Sequence, residues 1–293
     1  MSTSDIHLTF NKRPSNIAGL VKGFWGRIVS ASRNGQGPHI DALITDQTVD
    51  FSHLRAFNAM CGIHDSPWIH PLYPMTYVYP LVIRILSHKK STVDIFKSLN
   101  VRSWISQKKR ISVSDTFSIT CGIKDRRTVS TGVEADIVAE VLVAGMVVWE
   151  CCYTFFYRGK TEETAAQTPP VELRPIPHAP IVGEWFLEDG KGFQFARISG
   201  DTNGIHFWGP YARMFGFKGA FAQPLLVLTR TFQTLSEPVT ESFRLDQKLK
   251  GPVYYNNKIH INGDRDKESN RFDIYCGDNP KPCICCNIHY DQA

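Results

Sequence analysis

Two strongly apolar stretches stand out in the hydrophobic pattern, and each predicts a buried helix. The first covers residues 77–99 and the second covers residues 224–235. Runs that alternate between apolar and polar residues follow each stretch, at 111–123, 133–143 and 147–157 in the first half and at 253–261, 271–275 and 283–290 in the second. Such alternation is typical of strands with one buried face. The chain is therefore predicted to be α+β, with the same order of elements in both halves.

A polar and proline-rich segment separates the two halves. Its prolines favour a stiff, extended connector, and they are Pro169, Pro170, Pro175, Pro177 and Pro180. We therefore predict an N-terminal domain at residues 1–160, a linker at 161–182 and a C-terminal domain at 183–293. A sheet wrapped around one long helix has open edges, and two such units can remove them by pairing edge to edge.

Shorter patterns predict the remaining local elements. Residues 16–32 have the apolar spacing of a helix, and residues 193–198 have the pattern of a strand. Residues 209–216 begin with Gly-Pro and end with glycine, which is typical of a short helix. Charged clusters at 124–127 and 263–267 predict turns between strands.

Side chains capable of acid–base chemistry are concentrated between residues 199 and 206. The segment Ser199-Gly-Asp-Thr-Asn-Gly-Ile-His206 is dense in residues that favour turns. A tight turn brings Asp201, Asn203 and His206 together, and an acid, an amide and an imidazole can hold one water from several sides. The residues alone leave a second interpretation open, in which Asp201 caps a plain turn and His206 is incidental.

This segment also resembles the hydratase motif of MaoC-like dehydratases, the (R)-specific enoyl-thioester hydratases of the hot-dog fold. The resemblance continues through Ala212, Gly216-Phe217 and the apolar helix that follows. The first half is similar to the N-terminal half of double hot-dog members, in Trp68-Ile-His-Pro-Leu-Tyr-Pro74 and in Gly145-Met-Val-Val-Trp-Glu150. The resemblance implies a double hot-dog fold in which a non-catalytic first half shapes the acyl tunnel.

The resemblance further implies a hydro-lyase that adds or removes water across the 2,3 double bond of an acyl thioester. Asp201 and His206 are then expected to hold and activate the water, and Asn203 to orient them. The acyl group is expected to be carried by coenzyme A or an acyl carrier protein. The resemblance implies no metal or organic cofactor, and it is compatible with a homodimer of double hot-dog chains. The expected substrate-binding residues are Ser199, Gly200, Gln223 and Leu225.

Two positions depart from the family pattern. Gly204 stands where the family usually has proline, and Ala222-Gln-Pro224 stands where the family has Ala-His-Gly. Pro224 has no N–H, so the nearest donor to the thioester oxygen is expected to be the N–H of Leu225, helped by the Gln223 side chain. Amides of Gly219 or Ala220 are the alternative.

Composition and charge exclude several other classes of protein. The chain is 42% hydrophobic and 21% charged, and its net charge of +5 is scattered in short groups. We find no nucleic-acid-binding module and no apolar run of the roughly 18 to 20 residues that span a membrane. The N-terminus lacks the apolar core of a secretion signal, so a cytoplasmic location is expected. The eight cysteines have no metal-site spacing and are expected to be buried free thiols.

Two other functions remain open on this scaffold. One is thioester hydrolysis, and the other is binding of an acyl thioester without catalysis. The first half also contains Asp65 and His70 at the same spacing as Asp201 and His206. No Ser-Gly precedes Asp65, however, so this pair is not predicted to form a second active site.

Overall fold

The computed structural model describes residues 5–14, 38–91, 98–129, 131–158, 173–236, 241–265 and 269–290. Its strands are β1 (Ile6–Phe10), β2 (Ile40–Gln47), β3 (Ser98–Gln107), β4 (Phe117–Val129), β5 (Gly132–Val143), β6 (Met146–Arg158), β7 (Ile181–Leu187), β8 (Phe243–Leu249), β9 (Asn257–Arg265), β10 (Ser269–Cys276) and β11 (Ile284–His289). Its helices are α1 (Phe51–Cys61), α2 (Met75–Leu86), α3 (Lys191–Ser199), α4 (Gly209–Met214) and α5 (Pro224–Thr234), with a 3₁₀ helix at Gly204–His206.

These strands form one eleven-stranded sheet that runs through both halves of the chain. The order is β1-β2-β4-β5-β6-β3-β8-β11-β10-β9-β7. Neighbouring strands are antiparallel except for β1 and β2. The halves meet where β3 pairs with β8, from Arg102 opposite Lys248 to Gln107 opposite Phe243. The predicted edge-to-edge pairing of two sheets is therefore confirmed.

Each half packs its apolar helix against its own part of the sheet. In α2 every side chain except that of Arg84 is buried. In α5 the buried side chains include Leu226, Val227 and Phe232, and full burial of one such side chain contributes about 1.5–3 kcal/mol. The two predicted helices are confirmed, but α2 ends at Leu86 and residues 98–99 already belong to β3. The helix ends there because a polar stretch, Ser87-His-Lys-Lys90, follows its last buried residue.

Residues 193–198 form most of helix α3, so the prediction of a strand was wrong. The buried residues of this segment are Gly192, Phe195, Ala196 and Ser199, which have the spacing of one helical face. Gly200 ends the helix in the left-handed conformation with φ of 77°, and its N–H donates to the Ala196 carbonyl at 3.0 Å. The predicted helix at the following Gly-Pro is confirmed as α4.

The first charged cluster lies within a strand and not in the predicted turn, and the second belongs to a strand as far as the described residues reach. Residues 124–127 lie inside β4, where Arg127 is opposite Glu134 of β5. Its guanidinium contacts Glu134 at 2.9 Å and Asp136 at 2.6 Å. Opposite charges on paired strands stabilise a sheet, so these residues extend β4. In the second cluster, residues 263–265 belong to β9. The predicted helix at 16–32 lies outside the described residues.

The cysteines agree with the expectation of buried free thiols. All eight cysteines are free and buried, and burial raises the pKa of each thiol. Within the described ranges, none of the helices combines the length and the hydropathy needed to cross a bilayer.

Candidate active site

The turn that follows α3 is built by its own polar side chains. Ser199 Oγ accepts a hydrogen bond from the Asp201 N–H at 3.1 Å. Asp201 Oδ1 accepts one from the Asn203 N–H at 3.3 Å, and Asn203 Oδ1 accepts one from the Ile205 N–H at 3.3 Å. The last bond caps the 3₁₀ helix that carries His206. The residues that were predicted to form a tight turn therefore do so through successive side-chain-to-backbone bonds.

This turn places the carboxylate of Asp201 beside the imidazole of His206. Asp201 Oδ2 lies 3.3 Å from His206 Nε2. The other ring nitrogen, Nδ1, lies 3.0 Å from the Phe221 carbonyl oxygen. A carbonyl only accepts, so Nδ1 carries the proton. When Nε2 is unprotonated, its lone pair faces the same space as the carboxylate, and the two acceptors can bind one water that donates to both.

The pair is mostly shielded from bulk water, and His206 is held from its backbone. The side-chain exposures are 6% for His206 and 13% for Asp201. Tyr255 donates its hydroxyl to the His206 carbonyl at 2.9 Å, and the Phe221 ring packs edge-on at 4.9 Å from the imidazole. Because shielding strengthens electrostatic interactions, the arrangement suits proton transfer within a fixed geometry.

Asp201 and His206 face a cavity of about 490 Å³. Both halves of the chain contribute to its wall. The first half supplies a mainly apolar surface from α2, β3 and β6, namely Tyr79, Val82, Ile83, Leu86, Ser98, Leu99, Asn100 and Phe155. The second half supplies residues 201–208 together with Tyr211, Phe221, Pro224 and Leu249. This volume lies in the range of small-molecule sites, and the mixed lining has an apolar wall on one side and the acid–base pair on the other.

At the start of α5, the residues that were expected to face the thioester oxygen do not line the cavity. Pro224 lines the cavity, whereas Gln223 and Leu225 on either side of it are absent from the cavity lining. The side-chain amide of Gln223 is buried and donates to the Gly192 carbonyl at 3.1 Å. The Gln223 side chain therefore bonds α5 to α3, and it does not line the cavity as expected.

One cavity-lining residue that sequence reasoning missed is Tyr79. It lies on α2, and its ring packs against that of Tyr153 at a centroid distance of 5.4 Å. Burial, and then the negative charge of Asp201, raise the pKa of the Tyr79 phenol. The hydroxyl is therefore neutral and able to donate a hydrogen bond. No sequence signal separates Tyr79 from the other apolar residues of α2, because its proximity to Asp201 arises only when the halves pack.

The glycine that replaces the family's proline has a packing partner. A Cβ on Gly204 would lie 2.9 Å from Cδ1 of the Tyr211 ring. That ring stacks on Trp208 with an interplanar angle of 4°. Gly204 therefore makes room for an aromatic pair at the cavity wall.

The spacing match in the first half does not form a comparable pair. Asp65 is exposed, whereas His70 is buried between the rings of Phe57 and Phe232. Burial lowers the pKa of His70 to about 3. His70 Nδ1 accepts a hydrogen bond from the Leu72 N–H at 3.1 Å. A neutral histidine with this contact is part of the core.

Comparisons with solved structures bear on the fold of the chain. No family model matches the chain. Several solved structures share its fold, including a MaoC-like dehydratase from Phytophthora capsici with a TM-score of 0.71 and 14% identity, covering 88% of this chain and 96% of that one. A conserved hypothetical protein from Mycobacterium tuberculosis, described as a double hot-dog fold, gives a TM-score of 0.52 at 11% identity, with coverage of 87% and 95%. The chain has a double hot-dog fold, and its predicted resemblance to MaoC-like dehydratases is confirmed.

A relative with a known activity is similar to the chain in sequence. The chain is 21% identical over 242 residues to 3-hydroxyacyl-thioester dehydratase X of Mycobacterium tuberculosis. This alignment covers 82% of this chain and 86% of the relative. The crystal structure of that dehydratase has a TM-score of 0.73 and 16% identity, with coverage of 85% of this chain and 98% of that one.

Proposed function

We propose that this chain catalyses the reversible hydration of trans-2-enoyl thioesters to (R)-3-hydroxyacyl thioesters. The observation that carries the proposal is the carboxylate–imidazole pair of Asp201 and His206, set 3.3 Å apart in the wall of a cavity of about 490 Å³. The similarity to a 3-hydroxyacyl-thioester dehydratase supports the same reaction. The chain is then a hydro-lyase, and dehydration is the same reaction in reverse.

The geometry suggests how water is activated. A water that donates to Asp201 Oδ2 and to His206 Nε2 has its oxygen lone pairs free to attack C3 of the substrate. Its proton passes to the pair during attack, and the pair returns a proton to C2. Because the His206 Nδ1–H is bonded to the Phe221 carbonyl, the tautomer with a basic Nε2 is favoured. Positioned general acid–base groups of this kind contribute about 10² to 10⁴ in rate.

The two sides of the cavity suggest how the substrate lies. We assign the acyl chain to the apolar wall formed by Val82, Ile83 and Leu86, which gives the first half its role in shaping the tunnel. The thioester then lies between this wall and residues 201–206, with its pantetheine arm leading outward to coenzyme A or an acyl carrier protein. The start of α5 reaches the cavity at Pro224. The positive end of the helix dipole there favours negative charge on the thioester oxygen.

The proposal is tested with purified protein and a series of trans-2-enoyl-CoA substrates of increasing length. Loss of the enoyl absorbance, with an (R)-3-hydroxy product on chiral chromatography, is expected for the wild type and not for Asp201→Asn. Asp278→Asn serves as the matched control, because Asp278 is exposed and far along the chain at the β10–β11 connection. Release of free thiol without loss of the double bond would instead show a thioesterase. Binding with neither reaction would show a non-catalytic subunit.

A further inference from the structure

Arg13 of the first half binds the end of the helix that leads into the catalytic turn, and His53 lies beside it. Arg13 Nη2 donates to the Ile198 carbonyl oxygen at 2.6 Å. His53 Nε2 lies 2.9 Å from the same oxygen. Ile198 is the penultimate residue of α3, and Asp201 follows three residues later. The contact therefore joins the two halves of the chain immediately before the acid–base pair.

Arg13 and His53 also contact each other, which determines how they share protons. Arg13 Nη1 lies 2.8 Å from His53 Nε2, and His53 Nδ1 lies 2.9 Å from the Tyr73 hydroxyl. Burial, and then the Arg13 charge, lower the pKa of His53. A neutral His53 that accepts from Arg13 through Nε2 donates to Tyr73 through Nδ1 and has no Nε2 proton for the Ile198 carbonyl, so Arg13 is the group that binds this oxygen. His53 therefore orients the guanidinium, and the guanidinium binds the carbonyl.

The Ile198 carbonyl is a favourable place for a buried cation. The last four carbonyls of a helix have no intrahelical partner, and the helix dipole makes this end negative. The guanidinium lies 5.9 Å from the centroid of the Tyr77 ring, at a distance typical of a cation–π contact. A Cβ on Gly200 would lie 3.1 Å from Arg13 Nη2. The guanidinium is thus packed against the backbone at the point where α3 turns toward Asp201.

We propose that Arg13 and His53 are positioning residues for the catalytic turn, and this proposal rests on the proposed function. Arg13 binds the end of α3 and His53 orients Arg13, while the Phe221 carbonyl holds the ring of His206 and the Tyr255 hydroxyl holds its backbone. The separation of Asp201 from His206 is therefore set by contacts from both halves. A shift of about 1 Å in such a separation can cost about 10² in rate.

The test compares substitutions of Arg13 with the same substitution of an exposed arginine in the first half. Arg13→Met removes the charge and both bonds while keeping the length of the side chain. Arg55→Met is the control, because Arg55 is exposed two residues after His53 on α1. We expect kcat to fall at least about tenfold in Arg13→Met with KM within about twofold, since the cavity lining is unchanged. Arg55→Met is expected to retain wild-type kcat and KM.

Two further variants separate positioning from a general loss of structure. Arg13→Lys keeps a cation with a single-point donor, and it is expected to recover part of the lost kcat. His53→Gln acts through Arg13, so its effect in the double variant with Arg13→Met is expected to be less than additive. If Arg13 and His53 served only to stabilise the fold, the substitutions would lower the melting temperature and leave kcat of the folded protein unchanged. That result would overturn the proposal.

Hydrogen exchange gives a readout that does not depend on activity. The Gly200 and Asp201 amides are bonded to Ala196 and Ser199, and their exchange is expected to accelerate in Arg13→Met but not in Arg55→Met. If the wild type lacks hydratase activity, the proposed function fails, and faster exchange would still show that Arg13 holds the turn. Unchanged exchange at both amides refutes the positioning role of Arg13, whatever the activity.

Discussion

Gly192 lies in the first turn of α3, where its backbone lies close to the carbonyl of His206. A Cβ at this position would lie 2.6 Å from the Tyr255 hydroxyl and closer still to the His206 carbonyl oxygen. Ordinary van der Waals contact begins at about 3.4 Å, so these groups must retreat by about 1 Å or α3 must move. Helix propensity alone predicts the opposite outcome, since alanine stabilises a helix by about 1 kcal/mol relative to glycine.

Gly192→Ala is therefore expected to lower kcat about a hundredfold, although residue 192 does not line the cavity. The reason is that Tyr255 and Gly192 fix the carbonyl of His206, and a displacement of about 1 Å in the acid–base pair costs about 10² in rate. Overpacking is also expected to cost about 1–3 kcal/mol in the free energy of unfolding. The assay is steady-state hydration of an enoyl-CoA, with urea denaturation measured in parallel.

The matched control is Gly209→Ala at the start of α4. A Cβ there would have Arg213 Nη1 at 3.5 Å as its nearest neighbour, and wild-type kcat is expected. The reasoning fails if Gly192→Ala retains kcat within about twofold, or if Gly209→Ala loses as much.

Three further outcomes are expected. Asp201→Asn and His206→Ala should each lower kcat of the folded protein at least about a hundredfold, and near-normal turnover in either would remove that residue from the mechanism. Tyr79→Phe deletes a neutral donor without changing the shape of the cavity and should lower kcat about tenfold or more, so an unchanged pH–rate profile and kcat would show that the hydroxyl is not used. His70 stays neutral in the fold while an unfolded histidine takes up a proton near pH 6.5, so its stabilising contribution is complete above that pH and is lost as the pH falls toward about 3. The free energy of unfolding should therefore fall by about 2 kcal/mol between pH 7 and pH 5, and His70→Gln should lack this part of the fall when both are measured by urea denaturation.

Local sequence patterns were sufficient to predict the turn at residues 199–206, because its geometry depends on nearby side chains. Asp201 and Asn203 accept bonds from amides two residues away, which is the property that makes Asp and Asn favour turns. The two apolar helices were also predictable, since full burial leaves a long apolar run. The segment 193–198 was not, because in so short a window an apolar helical face and an alternating strand look alike.

Contacts between distant parts of the chain had no counterpart in the sequence pattern. Gln223 was expected to face the substrate by analogy with its position in the family motif, and its partner at Gly192 becomes apparent only in three dimensions. Arg13 and Ile198 are separated by most of the chain. The charged residues 124–127 looked like a turn because the opposing charges at Glu134 and Asp136 lie on a different strand.

The pairing of β3 with β8 has a consequence for how the chain folds. Residues 102–107 must find residues 243–248 across a long loop of chain, and such non-local pairing slows folding because loop closure precedes the contacts that compensate for it. During synthesis the first half emerges earlier, with β3 as an open edge that can associate with other chains. The second half made alone would likewise expose β8 and lack the α2 wall of the cavity. Active protein is therefore expected only from a chain that folds as one cooperative unit.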